Sequence, residues 1–242
     1  MTAQTYHKQQ IEDDRSRLFI ALAEQMKTPL IKASRTAELT RMTQDNTMLN
    51  EIEYIADMGL DLIDSYILSL KLQAAGEDIQ LQSVSLSATL NDVAHSLQKL
   101  QSAQSFDIEL HIAGKYGPIM AHPAGLHAAL MNIGTVLIAA NSEREITKRP
   151  VLKLAARKTP SGIAAGIFSS IDGLDAATFA KSRKLYGTAA QPLSQLTSEN
   201  GTGIFIADSL LQTMSSSLRV SHYKKLSGLA ATFMPSQQLT LV

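Results

Sequence analysis

Two short stretches combine residue types whose spacing could support chemistry. In "NGTGIFIADSLL", Gly201 and Gly203 precede an apolar, helix-like run. Glycines there let backbone N–H groups approach an anion such as a phosphate at a helix N-terminus, although they also allow close packing. In "AEQMKTPL", Pro29 follows Lys27 and Thr28 within an amphipathic pattern. Proline deforms a helix at such a position, so the sequence predicts a kinked helix.

Other kinds of chemistry find little support in the composition. Cysteine is absent, which excludes disulfides, thiol nucleophiles and thiolate metal ligands. The six histidines form no cluster with carboxylates at ligand-like spacing, so we expect no metal site. The basic residues between 144 and 158 lack interleaved aromatics and are broken by Glu143 and Glu145. A solvated edge is therefore favoured over a nucleic-acid surface.

The first third of the chain has a helical pattern. From residue 11 to residue 42 apolar residues recur every three or four positions, and this stripe includes Leu22, Met26, Ala33 and Ala37. A polar turn at residues 43–46 separates it from a second helical pattern over residues 49–70. Two such helices predict an antiparallel hairpin. Since its apolar stripe lacks a partner, we expect a homodimer in which two hairpins form a four-helix bundle.

The remainder alternates strand-like and helix-like patterns. Strands are predicted near residues 79–86, 106–114, 151–158, 162–170, 217–224 and 228–235, and helices over residues 86–103, 122–141 and 201–215. The predicted class is α+β, with a two-layer α/β sandwich after the hairpin. Residues 175–200 lack apolar periodicity, so we predict a mobile lid there.

Length and charge favour two modules in one globular protein. The chain has 242 residues and is 45% apolar, enough to bury a sizeable core. Residues 1–78 hold eight Lys and Arg against thirteen Asp and Glu, whereas the remainder holds fourteen against nine. We predict domains at residues 1–76 and 77–242. No apolar run has the length of a membrane span, and the N-terminus lacks a signal-peptide core, so we expect a cytoplasmic protein.

The order of these elements resembles the core of a sensor histidine kinase of two-component signalling. The resemblance runs from about Asp14 to Pro235 and rests on four features in sequence. They are a helical hairpin with a proline-bearing box, a strand–helix–strand entry, an asparagine-bearing helix and a Gly-x-Gly helix start. The resemblance implies a dimerisation and phosphotransfer hairpin followed by an ATP-binding domain.

The hairpin box departs from the family at the residue that carries its chemistry. The family pattern is Ser-His-Glu-Leu-Arg-Thr-Pro-Leu, and residues 27–30 match its end. Glu24 stands at the phosphoacceptor histidine and Gln25 at the following acid. A carboxylate cannot form the phosphoramidate, so the resemblance implies a lost acceptor, with Glu24 an exposed helix residue or an acidic mimic. Thr28 occupies the place where the family positions a hydrolytic water, which leaves a phosphatase activity open.

The asparagine box and the adenine box are incomplete. Asn132 matches the first asparagine, while Val136 stands where the family binds Mg²⁺, and valine offers a cation no lone pair. In the adenine box, Ser169 takes the place of the aspartate and Gly173 that of the second glycine, with Asp172 close enough to compete.

Only the Gly-x-Gly box is retained. Gly201 and Gly203 match the phosphate-binding Gly-x-Gly-Leu pattern. With Asn132, Ser169 and Gly173 they would form a vestigial nucleotide pocket. We expect no productive Mg-ATP binding and no obligatory cofactor, while weak ATP or ADP binding stays open.

These departures favour a signalling protein without phosphotransfer. The predicted function is a dimeric scaffold or regulator that binds a response regulator or another histidine kinase. The predicted docking surface covers residues 28–36 and 57–64. The alternatives are a response-regulator phosphatase acting near Thr28 and a nucleotide-sensing switch.

Overall fold

The computed structural model describes residues 19, 22–23, 26, 30–42, 47–99, 106–142, 150–170, 174–185 and 201–236. Its helices are α1 (residues 30–42), α2 (Thr47–Ala75), α3 (Leu86–Lys99), α4 (Pro123–Ser142), α5 (Ala176–Leu185) and α6 (Thr202–Thr213). Its strands are β1 (Gln82–Val84), β2 (Asp107–Ala113), β3 (Ile119–Ala121), β4 (Val151–Thr159), β5 (Gly162–Ser169), β6 (Arg219–Tyr223) and β7 (Leu226–Phe233). A short 3₁₀ turn, Gly76–Asp78, follows α2.

A mixed five-stranded sheet forms one layer. The strand order is β2-β4-β5-β7-β6, with β2 parallel to β4 and the other neighbours antiparallel. Alternate residues of the central strands point into the core, and Leu152, Leu154, Ile163 and Ile167 are fully buried. Gly162 begins β5 at φ 138°, where an added β-carbon would lie 2.4 Å from the carbonyl oxygen of Phe233. Only glycine fits there. A separate two-stranded sheet pairs β1 with β3.

Helices α3 and α4 pack on the sheet, and α6 packs on α4. We call this unit, with the five-stranded sheet, the α/β sandwich. Residues Pro123–Ala140 of α4 are long and apolar enough, with mean hydropathy 1.4, to cross a membrane by length and composition. That window is 61% buried within the protein, which is typical of the central helix of a core.

Residues of the predicted hairpin pack in the core of the sandwich. Leu22 and, on α2, Tyr66 and Leu72 belong to the same buried cluster as the sandwich residues. Leu72 reaches α4 where Gly125 leaves room, because a β-carbon on Gly125 would lie 3.2 Å from the Leu72 side chain. The amide of the next residue, Gln73, donates to the hydroxyl of Ser209 on α6 at 2.5 Å. Helix α2 is therefore docked on α4 and α6.

The buried stripe of the first helix differs from its prediction by one position. Leu22 is buried, and Met26 and Ala33 are partly buried, as expected. Ala37 is exposed, whereas Thr36 is buried. The prediction for Ala37 is wrong because the residues that face inward are Thr36 and, one turn later, Thr40, whose hydroxyl donates to the Thr36 carbonyl oxygen at 2.8 Å. This hydrogen bond satisfies the hydroxyl of the partly buried Thr40.

The prediction of an irregular segment from residue 175 is wrong for its first part. Residues Ala176–Leu185 form α5. Asp175 caps this helix, since its carboxylate accepts from the Thr178 backbone N–H at 2.9 Å and from the Thr178 hydroxyl at 2.6 Å. These hydrogen bonds lower the pKa of the Asp175 carboxyl below its ordinary value. Residues 186–200, the rest of the predicted lid, lie outside the described residues.

Helix α5 is also held from its other end. Arg183 donates from Nη2 to the Asp208 carboxylate of α6 at 2.8 Å and to the Leu218 carbonyl oxygen at 2.9 Å. Asp208 is almost fully buried and also accepts from the Leu218 backbone N–H at 3.1 Å and from the Gln212 amide at 3.0 Å. The segment therefore has a capped start and an ion pair near its end. The predicted start of the first helix lies outside the described residues. The predicted bounds of the remaining helices and of the longer strands are confirmed to within a few residues, while β3 was not anticipated.

Candidate functional site

A cavity of about 490 Å³ lies where α2 faces α4. Helix α3 contributes to its rim, and α6 contributes Gly203. The lining residues are Met26, Met58, Gly59, Asp61, Leu62, Asp64, Ser65, Leu68, Ser96, Lys99, His127, Ala128, Met131, Asn132, Thr135, Val136 and Gly203. Its volume falls within the range of small-molecule pockets in proteins. Two of the predicted site residues, Asn132 and Gly203, therefore lie on one wall, together with Val136.

Asn132 is committed to protein partners. Its side-chain nitrogen donates to the hydroxyl of Ser65 on α2 at 2.9 Å and to the carbonyl oxygen of Ala128 at 2.8 Å. An asparagine amide carries two N–H donors, so both are used. Asn132 and Ser65 are both buried. The asparagine that the family resemblance places at a nucleotide therefore contacts a hairpin helix here.

Gly203 allows α6 to approach α4 closely. A β-carbon on Gly203 would lie 3.1 Å from Asn132 Oδ1 and 3.1 Å from a methyl group of Val136. Neighbours would have to move by a few tenths of an ångström to admit one. Gly201 is buried at φ −68° and ψ −18°, a right-handed helical conformation open to any residue. Close packing accounts for Gly203, and the backbone at residue 201 does not demand a glycine.

Val136 is buried on the wall that Asn132 and Gly203 share. Its isopropyl group gives this part of the cavity an apolar surface without a ligand for a cation. Within the part of the chain that the structure describes, no three His, Asp or Glu side chains are grouped closely enough to hold a metal ion.

Ser169 is not brought to this cavity. It is fully buried at the end of β5, and its hydroxyl donates to the Val151 carbonyl oxygen of β4 at 3.0 Å. Its neighbour in the register of the sheet is Ser227 of β7. Glu24, Thr28 and Gly173, the other predicted site residues, lie outside the described residues.

The α2 wall of the cavity carries carboxylates. Asp61 and Asp64 line it, and Asp57 lies one turn before Asp61 on the same helix face. Burial raises the pKa of the Asp61 carboxyl above its ordinary value, and the neighbouring charges of Asp57 and Asp64 raise it further. His127 on α4 acts in the opposite direction and lowers that pKa.

Sequence reasoning missed this acidic wall as a site. The spacing of residues 57, 61 and 64 is visible in the sequence, but it was interpreted only as a docking surface for a partner. That Asp61 and Asp64 face α4 depends on the docking of α2, a tertiary contact without a local sequence signal. The methionines of the cavity likewise come from three separate helical segments.

Comparisons with known proteins support the fold and no closer relationship. No family model matches the sequence, and no curated protein sequence matches it. The histidine kinase AdeS of Acinetobacter baumannii superposes with a TM-score of 0.53 at 9% identity, over 87% of this chain and 96% of that one. Full-length ShkA in complex with AMPPNP superposes with a TM-score of 0.52 at 17% identity, over 88% of this chain and 46% of that one.

A third solved structure, the catalytic domain of histidine kinase ThkA, superposes with a TM-score of 0.49 at 11% identity. This superposition covers 65% of this chain and 96% of the ThkA domain. The superpositions on AdeS and ShkA show that the sheet with its helix layer has the fold of a histidine-kinase-like ATPase domain. Identities of this size establish fold alone.

Proposed function

We propose that this protein is a dimeric, catalytically impaired relative of the histidine kinases, which acts by binding a response regulator or another histidine kinase. The proposal rests on the hydrogen bonds of Asn132 and on the burial of Val136 beside it in the cavity wall. Both amide protons of Asn132 are donated within the protein, and Val136, where the family resemblance places the metal ligand, is buried. A Mg-nucleotide complex would meet an apolar surface where it needs an oxygen ligand.

The exposed apolar residues support the dimer part of this proposal. Most of the large apolar side chains that are exposed among the described residues lie in the hairpin: Phe19, Leu30, Ile31, Leu39, Met42, Leu49, Leu60 and Ile67. Many exposed apolar side chains on two helices are typical of elements that a second copy covers. The four-helix bundle remains a prediction.

The same helices offer a surface to a partner. Within the predicted docking region, Leu30, Ile31, Asp57 and Leu60 are exposed. Asp61 and Asp64 are exposed as well, but they also line the cavity, so a partner that contacts them competes with a ligand of the cavity. This reduces the proposed docking surface to the exposed residues of α1 and the outer face of α2.

The proposal is tested by a pull-down from the native cell with the purified protein as bait. We expect a response regulator or a histidine kinase among the retained proteins, and no stable incorporation of label from γ-labelled ATP. Label on the protein would overturn the impaired-kinase proposal. A retained regulator is then phosphorylated and incubated with the protein: a shortened phosphate lifetime would favour the phosphatase alternative near Thr28.

The nucleotide-sensing alternative rests on the cavity position of Asn132 and Gly203. To reach a nucleotide, Asn132 would first have to release Ser65, so nucleotide binding would be coupled to movement of α2. The thermal measurement described in the Discussion distinguishes this alternative from the scaffold.

A further inference from the structure

The cavity between α2 and α4 has an apolar interior. Leu62 and Leu68 of α2 and Val136 of α4 line it, and three methionines, Met26, Met58 and Met131, add flexible, polarisable side chains. Thioether sulfurs make favourable contacts with aromatic rings and adapt to irregular shapes. This interior suits a flat, apolar or aromatic body rather than a sugar or a phosphate chain.

The charge around the cavity is unevenly distributed. Asp61 and Asp64 line the α2 side and Asp57 lies next to them, while Lys99 and His127 lie on the α3 and α4 sides. Even with both basic groups charged, the three carboxylates outnumber them. Asp61 and Asp64 remain exposed to solvent at the rim. A positive group at this rim would interact with two carboxylates without being fully desolvated.

These observations together define the chemistry of an occupant. We propose that the cavity binds a small amphiphilic organic cation, with its aromatic body among Met26, Met58 and Met131 and its positive group at Asp61 and Asp64. The raised pKa of Asp61 agrees with this assignment, because a cation would relieve the repulsion from Asp57 and Asp64. The proposal does not depend on the proposed scaffold function.

The site would also connect the hairpin to the sandwich. Its acidic wall belongs to α2, and its opposite wall belongs to α4. A ligand that contacts both walls binds the docked arrangement more tightly than an undocked one, and therefore stabilises it. A cation entering from solution would thus favour the Ser65–Asn132 contact.

The test uses the full chain and a fluorescent aromatic cation, ethidium, titrated at low ionic strength. We expect saturable binding of one ethidium per chain. The double variant Asp61→Asn/Asp64→Asn is expected to bind about tenfold more weakly, since it loses both charge-assisted contacts. The control variant Glu77→Gln removes an exposed charge just beyond α2 and should bind as the wild type does.

Two further measurements separate this site from nonspecific binding. The anion 1-anilinonaphthalene-8-sulfonate should bind the wild type more weakly than ethidium. Ala128→Phe, which places a ring in the cavity, should abolish ethidium binding while the circular dichroism spectrum is retained. Unsaturable binding, unchanged affinity in the double aspartate variant, or an anion that binds as tightly as ethidium would each overturn the proposal. The aspartate substitutions lie at exposed positions, so the test holds even if Ala128→Phe does not fold.

Discussion

The side-chain amide of Asn132 donates a hydrogen bond to the hydroxyl of Ser65, 2.9 Å away, and this contact joins the central helix of the sandwich to the hairpin. Both residues are buried, so neither group can turn to water without opening the contact between α2 and α4. The residue type that the histidine kinases use at their nucleotide is here part of an internal hydrogen-bond network. Docking of α2 and exposure of the Asn132 amide therefore exclude each other.

The Ser65–Asn132 contact should be measurable in stability. Ser65→Ala leaves one buried amide proton without an acceptor, so we expect a loss of about 1–3 kcal/mol in the free energy of unfolding by urea. Ser87→Ala, at an exposed position, should change it by less than about 0.5 kcal/mol. In a double-mutant cycle with Asn132→Ala the losses should not add. Additive losses would show that the two side chains do not interact.

The dimer should depend on exposed apolar residues of the hairpin. Leu39 and Leu60 are 50% and 59% exposed, and burying charges there in a bundle would be costly. We expect Leu39→Glu/Leu60→Glu to be a folded monomer by light scattering and circular dichroism. Leu110→Glu, at a 38% exposed site on β2, should remain dimeric. A dimeric double variant would move the interface elsewhere.

Leu22, which the sequence placed on the apolar stripe of the first helix, differs from the exposed Leu39 and Leu60. It is only 6% exposed and packs in the core of its own chain. A charge at Leu22 should therefore unfold the protein rather than dissociate it, by the cost of burying an unpaired charge.

Nucleotide should leave the melting temperature unchanged. Because Val136 offers a cation no ligand and Asn132 is bonded to Ser65, we expect no shift in Tm with millimolar ATP or ADP, with or without Mg²⁺. A ligand at 100 times its Kd would stabilise the protein by about 2.7 kcal/mol, a shift of several degrees. A metal-independent shift that Ser65→Ala increases would support the nucleotide-sensing switch.

The variant Glu24→His should not gain autophosphorylation with Mg-ATP, because Val136 still offers the metal no ligand.

Stability at neutral pH should increase when Asp61 is replaced. Because the native pKa of Asp61 is raised, the native state binds its proton more tightly than the unfolded chain does. Its contribution to stability is fully present below the ordinary carboxyl pKa of about 3.9 and is lost as pH rises through the raised native value. Asp61→Asn should therefore be more stable than the wild type at pH 7, and this advantage should shrink in acid. If the two proteins differed in unfolding free energy by the same amount at pH 7 and in acid, the raised native pKa of Asp61 would be contradicted.

The ion pair between Arg183 and Asp208 should hold α5 in place. Asp208→Ala removes the acceptor of Arg183, of Gln212 and of the Leu218 backbone N–H, so we expect a loss of about 3 kcal/mol in the free energy of unfolding. Hydrogen exchange should rise in residues 176–185 and in the turn before β6. Lys181→Ala, an exposed control on the same helix, should leave both quantities unchanged.

Periodicity in the sequence was sufficient to predict most of the sandwich. The buried α4 and the alternating strands β4 and β5 have strong local patterns, so their positions were predicted to within a few residues. Helix α5 was missed because its ten residues have weak amphipathicity, and because the cap at Asp175 and Thr178 was not recognised. Strand β3 has three residues, too few for a pattern.

The candidate site was predictable only in part. Asn132 and Gly203 were identified, and they do lie on one wall. Their neighbours Asp61 and Ser65 come from α2, and no local pattern indicates which face of α2 meets the sandwich. Ser169 was predicted for the same pocket, but its hydroxyl donates to the backbone of an adjacent strand.

The position of α4 in the chain has a consequence for synthesis. A growing chain emerges from its N-terminus, so α4 leaves the ribosome before β4 and β5, which pack on it, and well before α6. Until residues 202–213 have been made, the nascent protein displays an apolar helix with the length and composition of a membrane anchor. Chaperones that bind apolar segments of nascent chains would therefore meet Pro123–Ala140 before the sandwich is complete.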